Sequence, residues 1–290
     1  MSTGVIFDID GVLIDVRGSY RRAIIETIAH EHDATVDQEI IDRFKLAGGF
    51  NNDWDLTTAA AIAVELQRRR GIDPSSFAAA VGAHGGGLEG AAVALLEAVG
   101  GAQAEAITAA VTPDRLREVF QAFYLGDALY AELEGAAAPF EAPGLIHDEP
   151  VLVDAETIAA VEAVAAVGVV TGRPTAEAQI ALERTPLSVD PAAMVTMDDD
   201  CPDKPDPAGV LAVAETLATD RVYFIGDTVD DMTAVTAAAA ADAARAYIGV
   251  GVTGVGDAEG GGEHLSAAGA RVLIETVQEV PAVLADDGIL

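Results

Sequence analysis

Short apolar runs alternate with helical segments along much of this sequence, and that alternation leaves few folds open. From residue 150 onward, strands are predicted at 167–170, 194–196, 222–225, 247–250 and 272–274. Helices are predicted around them, at 154–165, 175–183, 207–217, about 231–243 and the C-terminal end. This pattern favours a parallel sheet with helices on both faces, and therefore an α/β fold.

Polar residues stand at the points where three of the predicted strands end. A further apolar run, residues 4–7, stops at Asp8. The runs at 167–170 and 222–225 are followed by Thr171 and by Gly226-Asp227. Because ligands of such sheets bind at the carboxyl ends of the strands, we expect these side chains to share one site.

The stretch between residues 19 and 138 contains nothing that strongly resembles a strand. Helices are predicted at 19–31, 36–44, 56–70 and 113–134. The Ala- and Gly-rich residues 71–112 are interpreted as a loosely specified insertion with a loop at residues 85–87. The sequence therefore predicts a discontinuous α/β domain of residues 1–15 and 140–290, interrupted by an all-α domain of residues 16–139.

Asp8 and Asp10 are candidates for covalent and acid–base chemistry. Asp8 can supply a carboxylate nucleophile, which splits one difficult hydrolysis into two easier steps. If the segment stays extended, Asp10 points the same way as Asp8 and can exchange protons with the reacting groups. Gly11 suits a backbone that turns sharply at this point.

Four segments together carry a family resemblance. They are residues 8–15 (DIDGVLID), 170–173 (VTGR), 203–207 (DKPDP) and 226–231 (GDTVDD). In this order and spacing they resemble the four motifs of the haloacid dehalogenase-like superfamily. The helical block lies between the first and second motifs, as in the subgroup that contains phosphoglycolate phosphatase and β-phosphoglucomutase. The resemblance implies a Rossmann-like core with an inserted α-helical cap.

The resemblance also implies a function and a set of roles. The expected activity is Mg²⁺-dependent hydrolysis of a small phosphorylated metabolite through an aspartyl-phosphate on Asp8, with Asp10 as general acid and base. Phosphate would be bound by Thr171, Gly172, Arg173 and Lys204. Magnesium would be bound by Asp8, the Asp10 backbone carbonyl and Asp227, with Asp231 nearby and preferred over Asp230.

Each segment also has an ordinary structural explanation when taken alone. Asp227 to Asp231, for example, could be an acidic cluster that stabilises a helix N-terminus. The joint occurrence of the four segments favours the catalytic interpretation. A phosphomutase acting on a sugar phosphate shares every core motif and stays open, as does a non-catalytic binding protein on the same fold.

Two predictions on substrate contacts leave alternatives open. Asn52 and Trp54 lie in a turn-rich stretch that either faces the substrate or caps a helix, with Trp54 packed inside the helical domain. Arg173 either reaches the substrate or forms an ordinary surface ion pair.

The charge of the chain is strongly unbalanced. Sixteen Lys and Arg residues face 48 Asp and Glu residues, which gives a net charge of −32. Lys45 and Lys204 are the only lysines. An acid-rich, lysine-poor chain resembles proteins of salt-loving archaea, and we expect weak stability at low salt because molar salt screens self-repulsion. The same charge argues against a nucleic-acid partner.

The remaining features favour a cytoplasmic protein. No signal peptide is recognisable at the start, and no run of about 18 uncharged apolar residues predicts a membrane span. The single cysteine, Cys201, excludes an internal disulfide. Residues 249–254 fit a dinucleotide-binding fingerprint, but without a clear helix after them they are interpreted as a loop. The sequence does not predict an oligomeric state.

Overall fold

A computed structural model describes residues 2–50, 52–254 and 261–288. The chain divides into two compact units, of which one contains residues 1–15 and 150–290 and the other residues 16–149. The sequence placed residues 140–149 with the first unit, whereas they cluster with the second. Hydrogen bonds explain this, because Asp127 N donates to Ala142 O at 3.1 Å and Ser19 Oγ donates to Glu149 Oε1 at 2.6 Å.

The first unit is built on a six-stranded sheet in the order β3-β2-β1-β4-β5-β6, in which every neighbouring pair is parallel. The strands are β1 (Thr3–Phe7), β2 (Ala166–Val170), β3 (Met194–Val195), β4 (Arg221–Gly226), β5 (Ala246–Val252) and β6 (Val272–Ile274). The predicted α/β class is confirmed. β1 is entirely buried because helices cover a sheet whose central strands are apolar on both faces.

Six helices accompany this sheet in the described residues. They are α8 (Ala155–Glu162), α9 (Thr175–Glu183), α10 (Ala208–Thr216), α11 (Val229–Ala241), α12 (Gly261–Ala268) and α13 (Val280–Asp286). A cluster of buried side chains, including Ile6, Val210, Phe224 and Met232, joins α10, α11 and α12 to the strands. The apolar runs of the sequence thus form a core between the sheet and these helices.

The interpretation of residues 249–254 as a loop is wrong for Gly249 to Val252, although the strand predicted at 247–250 already covers the first two of them. Gly249 to Val252 lie inside β5. A Cβ at Gly249 would lie 3.0 Å from Val235 Cγ1, and one at Gly251 would lie 2.9 Å from Leu273 Cδ2. These glycines therefore allow close packing against the strand, and they do not form a phosphate-binding turn. The helix absent from the prediction, α12, begins at Gly261.

The second unit is entirely helical in its described residues apart from turns and a short 3₁₀ segment at Leu145–Asp148. Its helices are α1 (Tyr20–His32), α2 (Gln38–Ala47), α3 (Asp53–Arg70), α4 (Pro74–Ala83), α5 (Gly87–Val99), α6 (Gly101–Thr108) and α7 (Pro113–Leu133).

The interpretation of residues 71–112 as a loosely specified insertion is wrong, because α4, α5 and α6 occupy most of them. The small residues that suggested loose structure bring two helices close together. A Cβ at Gly90 of α5 would lie 2.8 Å from the carbonyl oxygen of Val81 in α4. Phe77 and Leu95 are buried in the same region.

Across the described residues, no single helix is long and apolar enough to cross a membrane. The consecutive helices α4 and α5 meet the criteria of length and composition only as a pair, with a bend of 114° between them.

Candidate active site

Asp8 is the first residue after β1, one of the two central strands of the parallel sheet. Its backbone N–H donates to Ile225 O at 2.9 Å, which holds it against the end of β4. Its side chain accepts a hydrogen bond from Ile9 N at 2.8 Å. The residue is 4% exposed. A carboxylate is therefore fixed in orientation and largely removed from water at the carboxyl edge of the sheet.

Lys204 supplies the positive charge next to Asp8. Its Nζ lies 3.1 Å from Asp8 Oδ2 and 2.6 Å from Asp231 Oδ1, and all three side chains are buried. Burial by itself lowers the pKa of the Lys204 ammonium, but the charges of Asp231 and Asp8 outweigh it and raise the pKa above its ordinary value. The ammonium stays charged between two carboxylates.

Asp231 is held by the N-terminus of α11. Thr228 and Asp231 form a capping box, in which Asp231 Oδ2 accepts from Thr228 N at 3.0 Å and from Thr228 Oγ1 at 2.7 Å. The same oxygen accepts from Asp227 N at 3.1 Å. The helix begins at Val229, two residues before the predicted start, because this cap satisfies its first backbone donors.

Two glycines allow the acidic segments to meet. Gly11 has a φ of +71°, and a Cβ there would lie 2.0 Å from Asp227 Oδ2. A Cβ at Gly226 would lie 2.5 Å from the Asp231 Cβ. Side chains at either position would displace the neighbouring aspartate, so both glycines are needed for the close approach.

Asp8, Asp227 and Asp231 each offer a carboxylate oxygen, and these oxygens all lie within 4.8 Å of one another. Burial is the largest cause that raises the pKa of Asp8 well above its ordinary value of 3.8. The charges of Asp231, Asp10 and Asp227 raise the pKa further, while Lys204 lowers it. The site therefore has more negative charge than Lys204 offsets, and a group of oxygen ligands of this kind suits a divalent cation.

Asp10 meets Arg173, which follows β2. Arg173 Nε donates to Asp10 Oδ1 at 2.6 Å. The Arg173 side chain is 0% exposed and the Asp10 side chain is 27% exposed. The alternative of a surface ion pair for Arg173 is therefore wrong, because the guanidinium is fully buried.

Thr171 and Gly172 lie directly before Arg173, at the end of β2. Thr171 N donates to Val195 O at 3.0 Å, and Thr171 Oγ1 accepts from Arg173 N at 3.2 Å. Thr171 is buried, whereas Gly172 is half-buried. The ends of β1, β2 and β4 thus present the predicted core residues at one edge of the sheet.

The predicted substrate residues Asn52 and Trp54 belong to the helical unit. Asn52 Oδ1 accepts from Trp54 N at 2.8 Å and caps α3. Trp54 Nε1 donates to Gln121 Oε1 at 3.3 Å, and the Arg117 guanidinium lies 4.4 Å from the indole centroid. Asn52 therefore caps a helix, as one of the two alternatives expected. Asn51, from the same stretch, lies outside the described residues.

Two contributions to the site were not predicted. The capping box of Thr228 and Asp231 follows the spacing of a known helix-start motif, so the sequence could have revealed it. The contact of Arg173 with Asp10 joins residues 163 positions apart, and no local sequence pattern predicts it.

Comparison with known proteins shows the family to which this chain belongs. Residues 3–239 match the family described as haloacid dehalogenase-like hydrolase. The chain belongs to this family of hydrolase enzymes.

Solved structures agree with this assignment. The phosphatase Tt82 from Thermococcus thioreducens is 26% identical with a TM-score of 0.57, over 80% of this chain and 86% of that one. A hydrolase from Pseudomonas syringae is 19% identical with a TM-score of 0.54, over 99% of each chain. A predicted phosphoglycolate phosphatase from Haemophilus somnus is 14% identical with a TM-score of 0.57, over 97% and 96%. The last two share the fold.

One curated relative is an imidazoleglycerol-phosphate dehydratase from Phytophthora nicotianae, 31% identical over 239 residues. The matched region covers 79% of this chain and 40% of that protein. The chain thus spans well under half the length of this relative.

Proposed function

We propose that this chain is a Mg²⁺-dependent phosphatase that hydrolyses a small phosphorylated metabolite through an aspartyl-phosphate on Asp8. The observation that carries the proposal is the arrangement around Asp8. A buried carboxylate, fixed by Ile9 N, lies 3.1 Å from the only ammonium group in the described part of this unit and within a group of three carboxylates. This combination supports the proposal, because a carboxylate nucleophile needs neighbouring groups that can bind a phosphoryl oxygen.

In the first step, an oxygen of Asp8 attacks phosphorus as the ester P–O bond breaks. The departing oxygen takes the bonding electron pair and receives a proton from Asp10. In the second step, a water attacks the phosphorus, Asp10 takes a water proton, and the Asp8–phosphorus bond breaks. Lys204, the Thr171 hydroxyl and the Gly172 backbone bind phosphoryl oxygens throughout, which offsets their negative charge.

The carboxylates fit a divalent cation. Asp8, the Asp10 backbone carbonyl and Asp227 are the proposed ligands, and Asp231 orients this group through its contacts with Thr228 and Lys204. The fit rests on the raised pKa of Asp8, whose first cause is burial and whose further causes are the neighbouring carboxylates. Bound Mg²⁺ supplies positive charge that favours ionised carboxylates and neutralises phosphoryl oxygens.

The proposed substrate class is phosphomonoesters of small metabolites. Phosphoglycolate, a sugar phosphate and histidinol phosphate are the test compounds. Histidinol phosphate carries an imidazole, the ring named in the relative from Phytophthora nicotianae. Asn52 caps α3 in the helical unit. KM values across these compounds for variants at Asn52 and Trp54 test the alternative that this stretch faces the substrate, and unchanged values for every compound would favour a structural role.

Release of inorganic phosphate from p-nitrophenyl phosphate, with and without Mg²⁺ in molar potassium chloride, tests the proposal. Asp8→Asn should abolish release. Asp154→Asn is the matched control, because Asp154 caps α8 at the surface and asparagine caps equally well. Mg²⁺-dependent release that Asp8→Asn removes and Asp154→Asn retains supports the phosphatase.

Folded wild-type protein that releases no phosphate from any test compound would contradict a phosphatase. Transfer of phosphate within a sugar phosphate without net release would then favour the phosphomutase. Absence of both reactions, together with phosphate binding, would favour a binding protein.

A further inference from the structure

Arg173 occupies an unusual place for a charged side chain. Its side chain is 0% exposed, and its Nε lies 2.6 Å from Asp10 Oδ1. A buried charge is costly unless it is paired and hydrogen-bonded. The position of this guanidinium is therefore tied to the carboxylate that the proposed mechanism uses for proton transfer.

The backbone of Arg173 is fixed on two sides. Its N–H donates to Thr171 Oγ1 at 3.2 Å, and its carbonyl accepts from Met197 N at 3.0 Å. These contacts hold the residue between the end of β2 and the segment after β3. The buried side chain therefore starts from a fixed point and reaches Asp10 in a defined direction.

The contact distinguishes the two oxygens of Asp10. Oδ1 accepts the short hydrogen bond from Arg173, so a proton on this carboxyl group is directed to Oδ2. The Asp10 side chain is 27% exposed, which leaves part of the group accessible. When the orientation and the proton-bearing oxygen of a general acid are both fixed in advance, little conformational entropy is lost on reaching the transition state.

We propose that Arg173 is a positioning residue that holds Asp10 through Oδ1 and so directs proton transfer through Oδ2. The proposal rests on the proposed phosphatase function and moves Arg173 from the phosphate-binding group to the acid–base group. When the ester bond breaks, the Oδ2–H bond breaks and the leaving oxygen gains the proton. In the second step, Oδ2 takes a proton from the attacking water, while Arg173 keeps its protons throughout.

Of three roles for Arg173, only the positioning of the general acid predicts kinetics that depend on the leaving group. A phosphate ligand contributes equally to all phosphomonoesters, because they share the phosphoryl group. A purely structural residue also affects all esters equally. A residue that positions the general acid matters most for basic leaving groups, since a poor leaving group needs a proton and p-nitrophenolate does not.

The experiment compares Arg173→Lys with wild type on p-nitrophenyl phosphate, phenyl phosphate and an alkyl phosphate. Arg245→Lys is the matched control, because Arg245 also pairs with an aspartate, Asp242, at 2.6 Å in the same unit. We expect the loss in kcat to be at least about tenfold greater for the alkyl ester than for the p-nitrophenyl ester, and we expect no graded loss for Arg245→Lys. The double variant that combines Arg173→Lys with Asp10→Asn should have a kcat only slightly lower than that of Asp10→Asn alone.

A second measurement applies even if Arg173→Lys fails to fold. Asn at position 10 keeps an oxygen that accepts from Arg173, whereas Ala removes it. Asp10→Ala should therefore melt at a lower temperature than Asp10→Asn, and equal melting temperatures would overturn the coupling.

If wild type is active and Arg173→Lys loses kcat equally on all three esters, the positioning role of Arg173 is overturned, but the phosphatase function is not. A folded wild type that releases no phosphate from any of the three esters would overturn the phosphatase function, and the positioning role with it.

Discussion

Lys204 Nζ donates a hydrogen bond of 2.6 Å to Asp231 Oδ1, across 27 positions of sequence. The side chains are 4% and 0% exposed. Because the same ammonium lies 3.1 Å from Asp8 Oδ2, it is shared between the proposed nucleophile and the residue that caps α11. The ion pair thus joins the proposed nucleophile to the helix start that positions Asp227.

Removal of this ammonium should impair both stability and activity. Lys204→Met leaves Asp8 and Asp231 in a buried cluster without their cation, and we expect a loss of about 3–5 kcal/mol in the free energy of unfolding. Lys204→Arg should fold better yet lose most of kcat, because a planar guanidinium does not replace a compact ammonium. Chemical denaturation and phosphate release measure the two effects.

Lys45→Met is the control for the lysine variants. Lys45 lies 2.8 Å from Asp53, but its side chain is 23% exposed. A pair with this access to water should contribute no more than about 1 kcal/mol. Equal losses for Lys45→Met and Lys204→Met would contradict the central position of Lys204.

Gly11→Ala should disrupt the site through Asp227. Gly11 and Gly71 have φ values of +71° and +69°, so alanine strains the backbone similarly at both positions, by about 1–2 kcal/mol. Only at Gly11 does the added Cβ meet another residue, 2.0 Å from Asp227 Oδ2, whereas nothing lies within 4 Å at Gly71. Thermal unfolding and Mg²⁺-dependent phosphate release should be affected far more by Gly11→Ala. Similar activity in the two variants would show that Asp227 does not depend on Gly11.

Neutralising Asp8 should stabilise the protein when a chelator is present. Burial is the first cause that raises the pKa of Asp8 above 3.8. A carboxyl group whose folded-state pKa is raised contributes stability below its unfolded pKa, and this contribution is lost as pH rises through the folded value. At neutral pH, Asp8→Asn should therefore melt at a higher temperature than wild type, and the difference should shrink as pH falls.

Asp154→Asn serves as the control, because the pKa of Asp154 is shifted in the opposite direction to that of Asp8. The backbone hydrogen bond from Thr157 is the first cause that lowers the pKa of Asp154. Its contribution is present above the unfolded pKa and is lost as pH falls through the folded value, so this variant should not raise the melting temperature at neutral pH. A lower melting temperature for Asp8→Asn than for wild type would contradict the cost of burying an ionised Asp8 carboxylate.

The net charge of −32 should make stability depend on salt. The Debye length falls from about 10 Å at 0.1 M to about 3 Å at 1 M, so molar potassium chloride screens repulsion between neighbouring carboxylates. We expect the melting temperature to rise steadily with potassium chloride. Circular dichroism during dialysis checks this, and a melting temperature that is unchanged at low salt would contradict the expectation.

The class of fold could be predicted from the amino-acid sequence, and so could the edge of the sheet at which the core residues meet. Periodicity fixes whether a segment is a strand or a helix, and Asp8, Thr171 and Asp227 directly follow apolar runs. The carboxyl ends of parallel strands lie at the same edge of a sheet, so the sequence predicts that the family motifs meet there. The same local reasoning failed for residues 71–112, because a segment rich in small side chains is compatible both with a loose loop and with closely packed helices.

The pairing of the buried charged groups could not be predicted from the sequence and is seen only in the folded protein. Arg173 and Asp10 are 163 positions apart, and the burial that makes their contact significant arises from packing around both. Lys204 likewise meets Asp8 and Asp231 only after the strands are aligned. Local patterns reflect backbone geometry over a few residues, whereas a buried ion pair depends on which distant segments exclude water together.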